Sequence, residues 1–194
     1  MRIDSKTGLP SKIALRYYIR TVRNAIGSGL AQKKSIACVS RILAHEEYKK
    51  AKVILAYSAH GGELDVSSLC ESAIAQNKVI AYPICDGQGG MIAAIPFQNQ
   101  WETDKYGIVE PKLNKSRLIM PYEIDLIVVP GVAFSDTGAR VGWGAGYYDK
   151  YLKICAKAYR MGVCFCEQIQ NDIISDEWDV HMQSIITDKK VYDI

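Results

Sequence analysis

With 194 residues, 48% of them hydrophobic and 23% charged, the chain has the make-up of one ordinary globular domain, which excludes disorder as its main state. Net charge is only +3, and the densest basic clusters (Lys33 with Lys34, Lys49-Lys50 with Lys52, Lys189 with Lys190) are too short for a polyanion tract, so nucleic acid is not expected as a partner. No apolar run nears the ~20 residues of a bilayer span; residues 1–10 are polar and the six cysteines form no C-x-x-C pair, so a cytoplasmic, reduced, membrane-free protein is expected.

In chain order, residues 11–27 predict a helix with Ser11 as its N-cap and Ile13, Tyr17, Arg20 and Asn24 marking the turns of an amphipathic face. A second helical stretch covers 30–50. The apolar run Val53-Ile54-Leu55-Ala56-Tyr57 predicts a strand, residues 58–62 a loop, and 66–76 a helix. A strand is expected at 79–83, a turn at 86–90 and a further strand at 91–96. Residues 99–122 read as irregular, punctuated by Pro111 and Pro121. The run 125–130 is a buried strand by its continuous apolar character. A helix is expected from Tyr147 to about Ala158, with late strands at 160–165 and 185–187. Helices alternating with short buried strands predict an α/β fold: a single three-layer α/β/α sandwich around a mainly parallel sheet, spanning residues 1–194.

The most informative stretch lies between the strand at 125–130 and the helix after it: Gly138-Ala139-Arg140-Val141-Gly142-Trp143-Gly144-Ala145-Gly146-Tyr147-Tyr148-Asp149. In an open α/β sheet, ligands bind at the carboxyl ends of the strands. Glycines at 142, 144 and 146 strip one edge of the loop of side chains, so backbone N–H groups can approach a phosphate at a helix N-terminus. Arg140 offers a guanidinium fork for phosphate oxygens, and Asp149 a carboxylate for magnesium on a nucleotide. Tight packing alone also explains alternating glycines. The spacing is neither the G-x-x-x-x-G-K-[ST] of a P-loop nor the G-x-G-x-x-G of a dinucleotide site.

Pro130-Gly131-Val132-Ala133-Phe134, followed by 138–149 and Lys150-Tyr151-Leu152, resembles the signature of the 5-formyltetrahydrofolate cyclo-ligase family. Lys12-Ile13-Ala14-Leu15-Arg16 is similar to that family's N-terminal K-x-x-L-R, with Arg23 beyond it. Gly107-Ile108-Val109-Glu110-Pro111 is similar to its G-I-x-E-P turn, and Glu63-Leu64-Asp65 to its folate-holding acidic element. Trp178-Asp179-Val180 and Ile185-Ile186-Thr187 resemble its closing segment. The chain departs from the pattern at Gln183, where aspartate is common, in the small residues 89–94, and at Trp143, a large side chain at a variable loop position.

The resemblance implies a fold of the type shared with sugar-phosphate isomerases and coenzyme A transferases, and ATP- and Mg-dependent cyclisation of 5-formyltetrahydrofolate to 5,10-methenyltetrahydrofolate through a phosphorylated formyl oxygen. It assigns ATP to Lys12, Ile13, Ala14, Leu15, Arg16, Gly138, Arg140, Val141, Gly142, Trp143, Gly144, Ala145, Gly146, Tyr147 and Tyr148. Folate is assigned to Ser58, Glu63, Gly142, Trp143 and Gly144, Mg2+ to Asp149 and Asp179, and catalysis to Arg140 and Tyr148. A monomer is expected, and the alternatives are another enzyme on this scaffold or a non-catalytic folate- or nucleotide-binding protein.

Overall fold

The computed structural model describes residues 4, 8, 10–86, 90–98 and 100–194. The helices are α1 (Lys12–Asn24), α2 (Ser28–Ala44), α3 (Glu46–Lys50), α4 (Ser67–Ala75) and α5 (Tyr147–Ile154). The strands are β1 (Val53–Leu55), β2 (Val79–Cys85), β3 (Met91–Ile95), β4 (Trp101–Thr103), β5 (Val109–Pro111), β6 (Arg117–Ile119), β7 (Leu126–Val129), β8 (Ala133–Phe134), β9 (Arg140–Val141), β10 (Tyr159–Cys164), β11 (Ser184–Thr187) and β12 (Val191–Asp193).

The central sheet has the order β12-β11-β10-β7-β1-β2-β3-β6. Its middle, from β11 to β2, is parallel, while β12 and β3 run antiparallel to it at the two sides and β6 pairs antiparallel with β3. The parallel strands read as unbroken apolar runs because both their faces are covered. Alternate residues serve different layers: Ile54, Leu126 and Val128 pack with Leu69 and Ile42 of α4 and α2 on one face, whereas Leu55, Ile127 and Val129 pack with Leu152 of α5 on the other. The result is the expected three-layer arrangement around a mainly parallel sheet.

Two small hairpins sit outside the sheet, β4–β5 and β8–β9. The second carries α1. Leu15 and Ile19 pack with Val132, Ala133 and Val141, and this small apolar cluster fixes the N-terminal helix over the carboxyl ends of the parallel strands. The ring of Phe134 lies between two glycines, since a Cβ on either Gly131 or Gly162 would stand 2.6 Å from it.

Several sequence expectations need correction. The stripe Ile13, Tyr17, Arg20 and Asn24 faces solvent; Leu15, Ile19 and Arg23 form the buried face of α1. The helix expected over 30–50 breaks at His45, whose backbone is extended and whose Nδ1 accepts from Glu47 N–H at 3.2 Å, starting α3. α5 ends at Ile154, four residues early. The stretch 99–122 is not irregular: it contains β4, β5 and β6, and β6 joins the main sheet. Residues 87–89 of the expected turn lie outside the described residues.

All six cysteines are free, and Cys38, Cys70, Cys155 and Cys164 are buried. Burial pushes every one of these thiols upward, Cys85 and Cys155 to about 11. Among the described residues, no helix is long and apolar enough to cross a membrane.

Candidate active site

A cleft of about 720 Å³ opens at the carboxyl ends of the parallel strands. Its walls come from five places: the exit of β1 (Tyr57, Ser58, His60, Glu63), the β2–β3 hairpin (Pro83, Cys85, Met91), the β4–β5 hairpin (Asp104, Tyr106, Glu110), α1 (Lys12, Arg16), and the glycine loop with Trp178 and Asp179 beyond it.

Cations gather at the glycine loop. Arg16 Nε donates to the Gly142 carbonyl at 2.8 Å, and Gly144, at φ +110°, leaves the room in which the Arg16 guanidinium lies. A Cβ on Gly142 would stand 2.7 Å from Arg140 Nη1, so that glycine gives the Arg140 guanidinium its place under the loop. Arg140 pairs through Nη2 with Asp149 Oδ2 at 2.8 Å, reaches the Pro130 carbonyl through Nη1 at 3.4 Å, and keeps a buried Nε with no partner. Lys12 bridges Asp176 and Asp179, and although burial lowers its pKa, the hydrogen bonds to those two carboxylates raise it overall. The first turn of α5 opens on the cleft with no side-chain cap after the left-handed Gly146, leaving its N–H groups and partial positive charge to an anion.

Glu63 borders the same cleft beside Trp143 of the glycine loop. Its Oε1 accepts from Trp143 Nε1 at 2.9 Å and its Oε2 from His60 N–H at 3.1 Å. Burial pushes the carboxyl upward, against the pull of those hydrogen bonds and of Arg23. Tyr148 lines the cleft with a buried hydroxyl that has no partner among the described residues, and the Arg140 guanidinium carbon lies 5.6 Å from the centre of its ring. Burial, and then the charge of Glu63, push this phenol well above its ordinary value, so it stays protonated and serves as a donor.

A magnesium ion that travels with a nucleotide takes one or two protein carboxylates and fills its other positions with phosphate oxygens and water. Asp149 and Asp179 both border the cleft. Asp149 accepts from Arg140 and from Val180 N–H, and Asp179 Oδ2 from Lys12 and Asp176 N–H. A carboxylate has about four lone-pair sites, so each retains capacity for a metal carried in by phosphates. The donor chemistry fits magnesium.

Of the residues singled out in the sequence, Lys12, Arg16, Ser58, Glu63, Arg140 to Asp149 and Asp179 all line this cleft. Ile13, Ala14, Leu15 and Gly138 do not: Ile13 faces solvent, Leu15 is core, and Gly138 sits in the β8–β9 turn, where a Cβ would stand 2.6 Å from the Met182 carbonyl. Asp104, Tyr106, Lys153 and Asp176 were missed. Only the proline turn ending at Pro111 hinted at the first two, and nothing local marks Asp176.

The fold and the cleft define an α/β protein whose cleft brings cationic side chains and a helix N-terminus together with a half-buried carboxylate. The chain belongs to the 5-formyltetrahydrofolate cyclo-ligase family, whose pattern it matches over residues 9–188. It is 29% identical over 197 residues to the probable 5-formyltetrahydrofolate cyclo-ligase of Schizosaccharomyces pombe, covering 93% of this chain and 96% of that one. It is 26% identical to the 5-formyltetrahydrofolate cyclo-ligase of Mus musculus, covering 91% and 93%. The structure superposes on the NMR structure of the Aquifex aeolicus 5,10-methenyltetrahydrofolate synthetase with a TM-score of 0.83 and 28% identity, over 94% of this chain and 92% of that one.

Proposed function

We propose that the cleft binds ATP against Arg16, Arg140 and the N-terminus of α5 and 5-formyltetrahydrofolate against Glu63, and closes the folate to 5,10-methenyltetrahydrofolate with release of ADP and phosphate. One observation carries the assignment: the cations Lys12, Arg16 and Arg140 converge with the N-terminus of α5 in a single cleft, and the half-buried carboxylate of Glu63, hydrogen-bonded to neutral donors, stands in the same cleft.

A formamide oxygen is a poor leaving group. Transfer of the γ-phosphoryl to that oxygen breaks the bond to ADP and makes the oxygen leave as phosphate once the N10 nitrogen of the same folate attacks the formyl carbon. The new N–C bond closes the ring, and the N10 proton passes to solvent. The protein's part is positioning and charge. Arg140 and Arg16 hold phosphoryl oxygens against the loop 142–146. The protonated Tyr148 hydroxyl donates to the reacting oxygen. Glu63 takes the amino and ring N–H groups of the pterin. Magnesium would bind Asp149 and Asp179 and supply charge neutralisation at the phosphates. No covalent nucleophile is required, and Cys85, at the cleft wall, has its thiol pushed up to about 11 by burial, where it is unreactive at neutral pH.

Methenyltetrahydrofolate absorbs in the near ultraviolet and the 5-formyl compound does not. Purified protein with 5-formyltetrahydrofolate is expected to develop that absorbance only when ATP is added. Formation of the chromophore without ATP, or its absence with ATP and magnesium present, overturns the reading.

A further inference from the structure

Trp143 is the one large side chain among the small residues 142–146 of the glycine loop. It is 45% exposed, on a loop whose neighbours on both sides are glycines, and Gly144 has a positive φ of +110°. Even so its ring is held in one place. The indole lies against Arg23 and Arg20 at 5.2 and 5.5 Å, touches the position a Cβ would take on Gly61 at 3.5 Å, and donates its N–H to Glu63 Oε1 at 2.9 Å. The hydrogen bond to the half-buried Glu63 carboxylate is the directional contact among these, and it fixes which edge of the ring faces the cleft wall.

Among the described residues, the indole N–H is the donor that Glu63 Oε1 receives. The donor edge of a pterin presents two N–H groups side by side, which match a carboxylate as an arginine fork does. Both ligands cannot hold Oε1 at full strength. The geometry points to Trp143 as an internal competitor for folate: its indole caps Glu63 in the free protein, and folate binds by displacing it, so that Trp143 sets folate affinity without being required for catalysis. This rests on the assignment of Glu63 to folate. The flanking glycines supply the backbone freedom for the ring to leave.

The test is a double-mutant cycle read by calorimetry, with 5-formyltetrahydrofolate as titrant and no ATP. Trp143→Phe keeps the ring and removes the donor. It is expected to tighten folate binding by about three- to tenfold, the upper value corresponding to ~1.4 kcal/mol. Glu63→Ala is expected to weaken folate, and adding Trp143→Phe to it is expected to give no further gain. Circular dichroism checks that each variant is folded. Folate binding unchanged in Glu63→Ala overturns the assignment of Glu63 and this proposal with it. Weakened binding in Glu63→Ala without any gain in Trp143→Phe, or an equal gain in both backgrounds, overturns the competitor role alone. Loss of affinity in Trp143→Phe makes the indole a direct folate contact instead.

Discussion

Arg140 and Asp149 close the glycine loop on itself: the guanidinium Nη2 meets the carboxylate at 2.8 Å across nine residues of chain, with the Arg140 side chain almost wholly buried. Under the proposed function, a phosphate entering the cleft would meet an arginine already held in place by its carboxylate partner. Arg140→Ala should lower kcat by about 10²–10³, the loss seen when one pre-aimed donor is removed from developing charge. Arg140→Lys should recover little, because a lysine restores the charge and not the fork. Single-turnover kinetics at saturating folate and ATP check both. A full rate in Arg140→Lys would show that charge alone suffices.

Chelation separates the two proposed ligands of the cleft. Excess EDTA should abolish turnover and added Mg2+ restore it, since the transferred charge needs a counter-cation on the phosphates. Folate binding without nucleotide, followed by calorimetry, should be unchanged under the same conditions. Equal turnover with and without chelator would remove Asp149 and Asp179 from any metal role.

The sandwiching of Phe134 by Gly131 and Gly162 predicts a steric result. Gly162→Ala places a methyl 2.6 Å from the ring and should destabilise the protein by about 1–3 kcal/mol, the usual cost of overpacking. Phe134→Leu in the same chain should return part of that loss. Urea denaturation of the two single variants and the double variant measures the coupling; strictly additive effects would mean that the ring and the methyl never meet.

Lys34 ties α2 to the segment after β10 and to the turn after β11, pairing with Glu167 at 2.7 Å and Asp188 at 2.8 Å. Burial acts to lower the Lys34 pKa, yet the hydrogen bonds to Asp188 and Glu167 raise it above 10.5. For both carboxylates burial acts upward, and Lys34 outweighs it and brings them below their ordinary 4.5 and 3.8. The signs fix the window. The lysine's contribution is complete below pH 10.5 and lost as pH rises through its raised pKa; the acids' contribution is present above their ordinary values and lost as pH falls through the lowered ones. Lys34→Met should cost less than the ~3–5 kcal/mol of a fully buried pair, because Glu167 is one-third exposed. It should also shift acid unfolding toward higher pH. An unchanged acid midpoint would show that this cluster does not govern acid stability.

What could be read in advance follows from how local the cause was. Val53 to Leu55 and Leu126 to Val129 announced themselves as strands because burial on both faces demands apolar residues without a break. Gly142, Gly144 and Gly146 were legible because loop chemistry is written in adjacent residues. The phase of α1 was not: Ile13 and Tyr17 are apolar yet exposed, and only contact with Val132 and Val141, more than a hundred residues on, decides that Leu15 and Ile19 face inward. β4 and β5 were missed because each is three residues long and polar on one face. Asp176 and Asp188 owe their places to Lys12 and Lys34, each over 150 positions away, which no local pattern encodes.

The six quiet thiols have a practical consequence. A group held at about 11 is thiolate in roughly one part in ten thousand at pH 7, so Cys85 and Cys155 scarcely compete for maleimide or disulfide-forming reagents, and burial acts in the same direction on the other four. A cysteine placed on the solvent side of α1, as in Tyr17→Cys, where the side chain is 80% exposed, would react first and nearly alone. Spectroscopic labels can thus be attached beside the cleft in the otherwise unaltered chain, and the approach of α1 to the glycine loop followed by distance as each ligand enters.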